Sequence, residues 1–453
     1  MDLKKIIIMN FKKLIWVLLS VFLIIFSLPS ENQIILFAFL GYMPFFLISK
    51  GEKNGFLYCG LIGLITGLYI YFGFTNFAWE IYIYCTFLLF IQFLGLGFFI
   101  SRYGIITCVL FNIIFEYSRQ YFLYGFSSNI GLSLYKFPIM LGFASVGGIY
   151  LISSFLLIIN YLLYLYYKKH KLKYLIFILF LVTVNYLFFI NNEIEYNSYK
   201  NISIIQSGVK LEHESTEKIY SQLAQKTLKQ NTNILVFPET TLNNYSINSL
   251  SFYKNIYIYD ILKNDKIIIS GIKFDVLDNS YNSLIYLDKD YEKRYDKVRL
   301  VGKIEDKYTK GKISPVINTK NFNFFSSICY ESIFEKNFLK NNKKYNFSVI
   351  ISSDIEYKST FINYLHGAYA VFRAIETGKY VCRAAHGGPS YLIDGKGRIV
   401  KEIEAYKTGF IQGEIGISDN TTFYSRNYSQ IIIFYYILFV ISVIPSFFKR
   451  KKS

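Results

Sequence analysis

Apolar residues run along this chain in two regimes. In the first, continuous stretches at about 14–28, 33–49, 56–74, 81–100, 139–167, 174–190 and 430–447 reach bilayer-crossing length. A weaker stretch, 103–117, carries Glu116 near its end. These predict eight membrane spans, seven before residue 195 and one at the C-terminus. In the second regime, 195–428, the runs shrink to strand length and end in turn or polar residues: "ISIIQSG", "NILVFPE", "KIIISGIKFD", "NSLIYLD", "NFFSSICYE" and "FSVIISSD". Residues 360–378, "TFINYLHGAYAVFRAIETG", have helical spacing and stop at Gly378. After them "YVCRAAHGGPSYLIDGKGRIVKEI" reads as a strand pair turned at Asp394-Gly395-Lys396-Gly397. The predicted organisation is a transmembrane bundle of about seven helices (1–194), a mixed α/β domain (195–428), and a C-terminal span with a basic tail (429–453).

Composition agrees with the first regime, at 53% hydrophobic and 19% aromatic residues. The formal net charge of +18 would fit a nucleic-acid partner, but its placement argues against one. With the N-terminus in the cytoplasm, that side holds Lys4, Lys5, Lys12, Lys13, Lys50, Lys53, Arg102, the basic cluster at 168–173 and the one at 449–452. The short opposite loops hold only Arg119 and Lys136, a positive-inside asymmetry. Both termini are then cytoplasmic, and the domain after span seven lies on the outer, periplasmic side. The first thirty residues have the basic and apolar regions of a signal peptide but no good small-x-small cleavage site, so they are read as a span. "KNNKKYN" at 340–346 is a charged surface loop.

Three polar residues of the outer domain sit where strand ends would build a site: Glu239 after "NILVFP", Lys297 after the charged "KDYEKRYD", and Cys329 after "NFFSSI". Singly, each has an ordinary explanation: a solvated loop carboxylate, a surface cation, a small buried hydrophobe. Metal ligation by Cys329 needs a cluster, yet His170, His213, His366 and His386 are scattered and no C-x-x-C occurs. A disulfide to Cys382 is conceivable in an oxidising compartment, although a domain of this size needs no staple. Cys59, Cys85 and Cys108 lie in spans and read as packing. Neither a P-loop nor a dinucleotide fingerprint occurs, and no cofactor is expected.

Taken together, "VFPET", "YDKVRLVGKIE" and "SICYES" match in order, context and approximate spacing the Glu-Lys-Cys triad of the carbon–nitrogen hydrolase (nitrilase) superfamily. With spans on both sides of that domain, the chain resembles the membrane-embedded apolipoprotein N-acyltransferases of bacterial envelopes. The resemblance extends to "FEYSRQYFLYGF", similar to the family's Glu-x-x-Arg near the outer end of a span, and to "YNS" at 281–283, "FRAIETGKYVCRA" and "IDGKGRI". It implies an αββα sandwich in which Cys329 is the nucleophile, Glu239 the base and Lys297 the oxyanion stabiliser. Glu305, eight residues past the lysine, and Tyr330 and Glu331, just after the cysteine, are implied as supporting residues. The implied substrates are a phospholipid acyl donor and the N-terminal S-diacylglyceryl-cysteine of an apolipoprotein, joined through a Cys329 thioester.

The chain departs from the family pattern in places. Phe237-Pro238-Glu239 stands for W-P-E, Arg299 for a histidine, Gly302-Lys303-Ile304 for Pro-Phe-Gly, and "SSDIEY" for S-N-D-A-W-F. Both tryptophans, Trp16 and Trp79, lie in the membrane part, so the outer domain has none of the family's entrance tryptophans. An enzymatic rival is a membrane-anchored amidase or nitrilase with water as acceptor, which would need at most one anchor. A rival of another class is a non-catalytic lipoprotein-binding scaffold, against which the intact triad argues. A transporter would need more ionisable residues in its spans. Glu116 and Arg119 are read as an interfacial pair in preference to a relay.

Overall fold

The computed structural model describes residues 3–50, 54–76, 78–122, 124, 126, 128–208, 213–242 and 261–450. Lys53, Lys451 and Lys452 of the charge asymmetry, and Leu123 and Gly125 of the Phe115–Phe126 stretch, fall outside them. The chain divides into two compact units, Met1–Asn192 with Asn427–Ser453, and Glu193–Arg426.

The first unit is helical: α1 (Leu3–Ser27), α2 (Met43–Ser49), α3 (Gly55–Ile70), α4 (Trp79–Arg102), α5 (Ile105–Ser118), α6 (Ala144–Lys169) and α7 (Lys173–Asn191). Among the described residues, Trp79–Arg102, Ala144–Lys169, Lys173–Asn191 and Phe423–Ile444 are long and apolar enough to cross a bilayer. Four such helices among the described residues do not confirm the eight spans expected, and two of the expected apolar runs do not become full-length helices. The 33–49 run breaks into a 3₁₀ turn, Ile35–Phe39, and the seven-residue α2 with Pro44 in its first turn. The 103–117 run yields a 14-residue helix, about 21 Å long, against a hydrocarbon core of about 30 Å.

Broken helices at membrane depth leave backbone groups that lipid cannot satisfy. Buried amides satisfy them here. Asn160 accepts from Tyr42 N at 2.9 Å and donates to Ala38 O and Leu156 O, both at 2.9 Å. Asn185 accepts from Phe143 N and donates to Met140 O, each at 2.7 Å. The expected Glu116–Arg119 pair does not form. The Glu116 carboxylate accepts from Ile130 N (2.9 Å) and Asn129 Nδ2 (3.1 Å), while the Arg119 guanidinium lies over the Phe115 ring.

The second unit is built on two six-stranded sheets. The first contains β1 (Ser198–Gln206), β2 (Ile234–Val236), β3 (Ile267–Val276), β4 (Asn279–Leu287), β5 (Glu292–Asp296) and β12 (Gly409–Ile417), in the order β12-β1-β2-β3-β4-β5. The second contains β6 (Val316–Asn318), β7 (Asn323–Ile328), β8 (Phe347–Ser353), β9 (Val381–His386), β10 (Ser390–Ile393) and β11 (Ile399–Ile403), in the order β11-β10-β9-β8-β7-β6. In each sheet the central strands are parallel, β1-β2-β3 and β7-β8-β9.

Strand alternation separates the two faces of a sheet. Ile204, Ile234 and Ile269 join Phe324, Phe347, Val349 and Ile351 in the core between the sheets. Their neighbours Ile205, Leu235 and Ile268 point outward and bury Tyr220, Leu223 and Ala224 of α8 (His213–Leu228). Glu335–Asn341 forms the short α9, and α10 (Thr360–Thr377) packs on β9 and β10 of the second sheet. The Ser359 hydroxyl caps α10 by accepting from Ile362 N, and Gly378 stops it in the left-handed conformation at φ 72°. The result is the αββα sandwich that the resemblance implies. The remaining helix, α11 (Phe423–Arg450), leaves regular geometry at Asn427.

Candidate active site

Parallel strands place their C-terminal ends together, and the side chains just beyond them converge. Beyond β2 the chain turns through Pro238, and Glu239 follows it. This turn passes so close to β3 that a Cβ on Gly271 would lie 2.5 Å from Glu239 Cα and 2.6 Å from Pro238 O. Only glycine allows that approach, which Gly271 N closes with a 3.1 Å bond to Pro238 O. Glu239 Oε2 accepts from Ser353 N at 2.8 Å, at the end of β8, so its carboxylate spans both sheets.

Lys297 follows the edge strand β5, and its backbone N donates to Asn282 O at 2.8 Å. Its ammonium is 1% exposed and lies 2.8 Å from Glu305 Oε1 and 3.4 Å from Glu239 Oε1. Asn282 Nδ2 bridges the same two oxygens, at 2.6 Å to Glu239 and 3.0 Å to Glu305. Glu305 Oε2 accepts from Val301 N at 2.8 Å. One ammonium therefore sits between two carboxylates, each of which also accepts a backbone N–H on its other oxygen.

Cys329 ends β7 with φ at 51°, a left-handed conformation uncommon for a residue with a Cβ. Just past it, Glu331 turns back as an anchor. Its Oε1 accepts from Tyr295 OH (2.8 Å), Val298 N (2.8 Å) and Arg299 N (3.0 Å), and its Oε2 from Ile328 N (3.0 Å). The residues directly after Lys297 and directly before Cys329 are thus tied to one carboxylate. Tyr330 is buried and meets Phe334 edge-on, and the Arg299 guanidinium lies 3.5 Å from the Phe334 ring centre.

Burial dominates the electrostatics. It pushes the Cys329 thiol well above its ordinary range, and the charge of Glu239 adds to this against the opposing pull of Lys297. Burial also works to deprotonate Lys297, but Glu239 and Glu305 outweigh it and hold the ammonium well above the usual lysine range. Burial alone would raise Glu305, and the neighbouring Lys297 instead brings it below the ordinary carboxylate value. The site at rest is a protonated thiol beside a fixed cation, so a base is required before the sulfur can attack.

Cys329, Asp354 and His366 bring potential metal-ligand atoms within 4.8 Å of one another. Their partners oppose a metal there: Asp354 Oδ2 is paired with Arg383 at 2.5 Å, and Asp354 Oδ1 with His366 Nδ1 at 2.9 Å. Cys329 and Cys382 are separate free thiols, Cys382 lying in the core between the sheets. Local sequence does not mark Asn282, Ser353, Asp354 and His366 as site residues. Asn282 was within reach through the "YNS" match and Asp354 through "SSDIEY", whereas His366 gave no signal apart from its helix.

A carbon-nitrogen hydrolase family model matches residues 201–422, and a model of the apolipoprotein N-acyltransferase N-terminal domain matches residues 10–162. The apolipoprotein N-acyltransferase of Wigglesworthia glossinidia brevipalpis is 28% identical over 368 residues, 73% of each chain. Apolipoprotein N-acyltransferase 1 of Treponema denticola is 25% identical over 87% of this chain and 89% of its own. The Aquifex aeolicus apolipoprotein N-acyltransferase is 24% identical, with 84% and 90% covered. Among solved structures, Saccharomyces cerevisiae Nit3, of the nitrilase superfamily, aligns with a TM-score of 0.42 at 19% identity over 52% of this chain and 95% of that one. With one of these models on the helical unit and the other on the sandwich, the chain belongs to the apolipoprotein N-acyltransferases, a membrane-bound branch of the carbon–nitrogen hydrolase superfamily.

Proposed function

We propose that this acyltransferase matures bacterial lipoproteins, carrying a fatty acyl chain from a phospholipid through a Cys329 thioester to the α-amine of an apolipoprotein's S-diacylglyceryl-cysteine. The observation that carries the reading is the Lys297 ammonium, 1% exposed and held between Glu239 and Glu305. A cation fixed in this way stabilises a developing oxyanion without reorganising.

In the first half-reaction Glu239 takes the Cys329 proton, and the thiolate attacks the ester carbonyl of the phospholipid. The tetrahedral oxyanion is met by Lys297. Its collapse breaks the C–O bond, and the departing lysophospholipid oxygen receives the proton from Glu239. In the second half, the neutral α-amine attacks the thioester, and its proton returns through Glu239 to the Cys329 sulfur as the amide forms. Glu305 and Asn282 hold Lys297 in place, and Glu331 fixes the distance between the lysine and cysteine segments. Positive-inside charge supports a periplasmic sandwich domain with both termini cytoplasmic. Both substrates are lipids confined to the bilayer, which accounts for a catalytic domain carried on a helical bundle.

The test is to incubate the detergent-purified protein with phospholipid alone and measure the mass of the Cys329 peptide. A hydroxylamine-labile fatty-acyl adduct, absent in Cys329→Ser, is the expected result. An unmodified thiol in folded protein would count against phospholipid as donor and shift weight to an amidase.

A further inference from the structure

The nucleophile's own carbonyl is held from below by groups that the acyl-transfer chemistry leaves unused. Cys329 O accepts from Ser332 Oγ at 2.8 Å and lies 3.2 Å from His366 Nε2, which is also 3.2 Å from Ser332 Oγ. A carbonyl oxygen only accepts, so the ring meets Cys329 O as an Nε2–H donor. On the far side of the ring, Nδ1 lies 2.9 Å from Asp354 Oδ1, which also accepts from Ser352 Oγ at 2.7 Å. Asp354 Oδ2 is paired with Arg383, which in turn donates to Pro389 O. Asp354, His366 and Arg383 are all at most 1% exposed. A Cβ on Gly388 would lie 2.0 Å from Asp354 Oδ2, so backbone closes the remaining side.

We propose that His366, oriented by Asp354 and Arg383, is a positioning residue for acyl transfer: its Nε2–H grips the Cys329 carbonyl and fixes the peptide plane between the nucleophile and Tyr330. The peptide bond is planar and trans, so pinning the carbonyl also sets the direction of the Tyr330 N–H on the opposite edge. It also holds Cys329 in the left-handed conformation, at φ 51°, that aims its side chain. In this role His366 acts through the backbone of Cys329. The inference rests on the reading of Cys329 as the nucleophile.

Two substitutions separate the two ends of the ring. In His366→Asn the amide reaches the Nδ1 position and keeps the link to Asp354 but loses the donor to Cys329 O. In His366→Gln it reaches the Nε2 position and keeps that donor. Both variants are prepared as full-length protein in detergent and checked for folding by thermal melting. The rate of Cys329 thioester formation from phospholipid is then followed by mass spectrometry over a range of lipid concentrations. His366→Asn is expected to lose about a hundredfold in the rate constant, the scale of a lost oxyanion-hole donor, with half-saturation unchanged, while His366→Gln stays within about tenfold of wild type. Folded His366→Asn reacting at the wild-type rate would overturn the proposal, as would equal losses in both variants. Failure of the wild-type protein itself to form a thioester would instead overturn the reading of Cys329.

Discussion

Replacing Glu331 with glutamine keeps its shape and removes its charge, which makes it a sharp probe of how the lysine and cysteine segments are held together. The carboxylate accepts four hydrogen bonds, three on Oε1 and one on Oε2. In Glu331→Gln the amide oxygen keeps the three donors best satisfied at the Oε1 position. The NH2 then meets the Ile328 N–H, donor against donor. Bonds to a charged acceptor contribute about 1.5–3 kcal/mol and neutral ones about 1, so weakening three and losing one removes roughly 5 kcal/mol. Burial raises the carboxylate's pKa, and relieving that buried charge returns roughly 2 kcal/mol. The net loss, about 3 kcal/mol, is roughly a hundredfold in rate if it is spent on the Lys297-to-Cys329 geometry. Single-turnover formation of the Cys329 thioester measures it, with thermal melting as the control for folding. A folded Glu331→Gln protein that acylates at the wild-type rate would refute the argument that this carboxylate sets the geometry.

Gly271→Ala should abolish acylation, because its Cβ would displace the Glu239 turn, whereas Gly409→Ala, with nothing within 4 Å, should leave the rate unchanged; the same mass assay compares them. Lys297 is held above the ordinary lysine value, so its ammonium persists through alkaline pH, and a rate–pH profile should show no loss from it between about pH 7 and 10. Lys379, whose Nζ donates to Tyr345 O and Ser418 O, is pulled down to about 8 by burial. From pH 8 upward the folded state sheds this proton before the unfolded state does, so stability should rise with pH until the ordinary lysine value of 10.5, and Lys379→Met should flatten that slope in thermal melts. Asn160→Leu strands Tyr42 N and Ala38 O at membrane depth and should lower the melting temperature of the detergent-solubilised protein by several degrees.

How far the sequence reveals the site depends on how each residue is delivered. Glu239 and Cys329 end apolar runs that become β2 and β7, and such runs are visible locally. Lys297 follows β5, an edge strand whose "EKRYD" reads as surface charge, and it is recognised only through the family pattern. The residues that hold these three are placed by sheet pairing rather than by local sequence: Ser353 lies 114 positions from Glu239, and Asn282 lies 43. Nothing near Asn282 says which carboxylates its amide will meet. Strand β12 carries glycines at 413 and 416, which weaken a strand signal, and it forms by pairing with β1. The spans show the opposite error. Apolarity is plain at 33–49, but Gly41 and Pro44 divide the run, and hydropathy alone does not show the division.

The charges around Lys297 bear on where the reaction can run. Two carboxylates and one ammonium leave the resting site with a single net negative charge. In the proposed cycle one proton moves from sulfur to Glu239, on to the leaving lysophospholipid, and later from the amine back to sulfur. The net charge is the same before each half-reaction and after it. Once the acceptor amine has entered in its neutral form, neither step exchanges a proton with bulk water, so the site can turn over while closed to solvent by lipid. The thioester, which water would hydrolyse, is then protected by the same exclusion that brings the acceptor's amine to it.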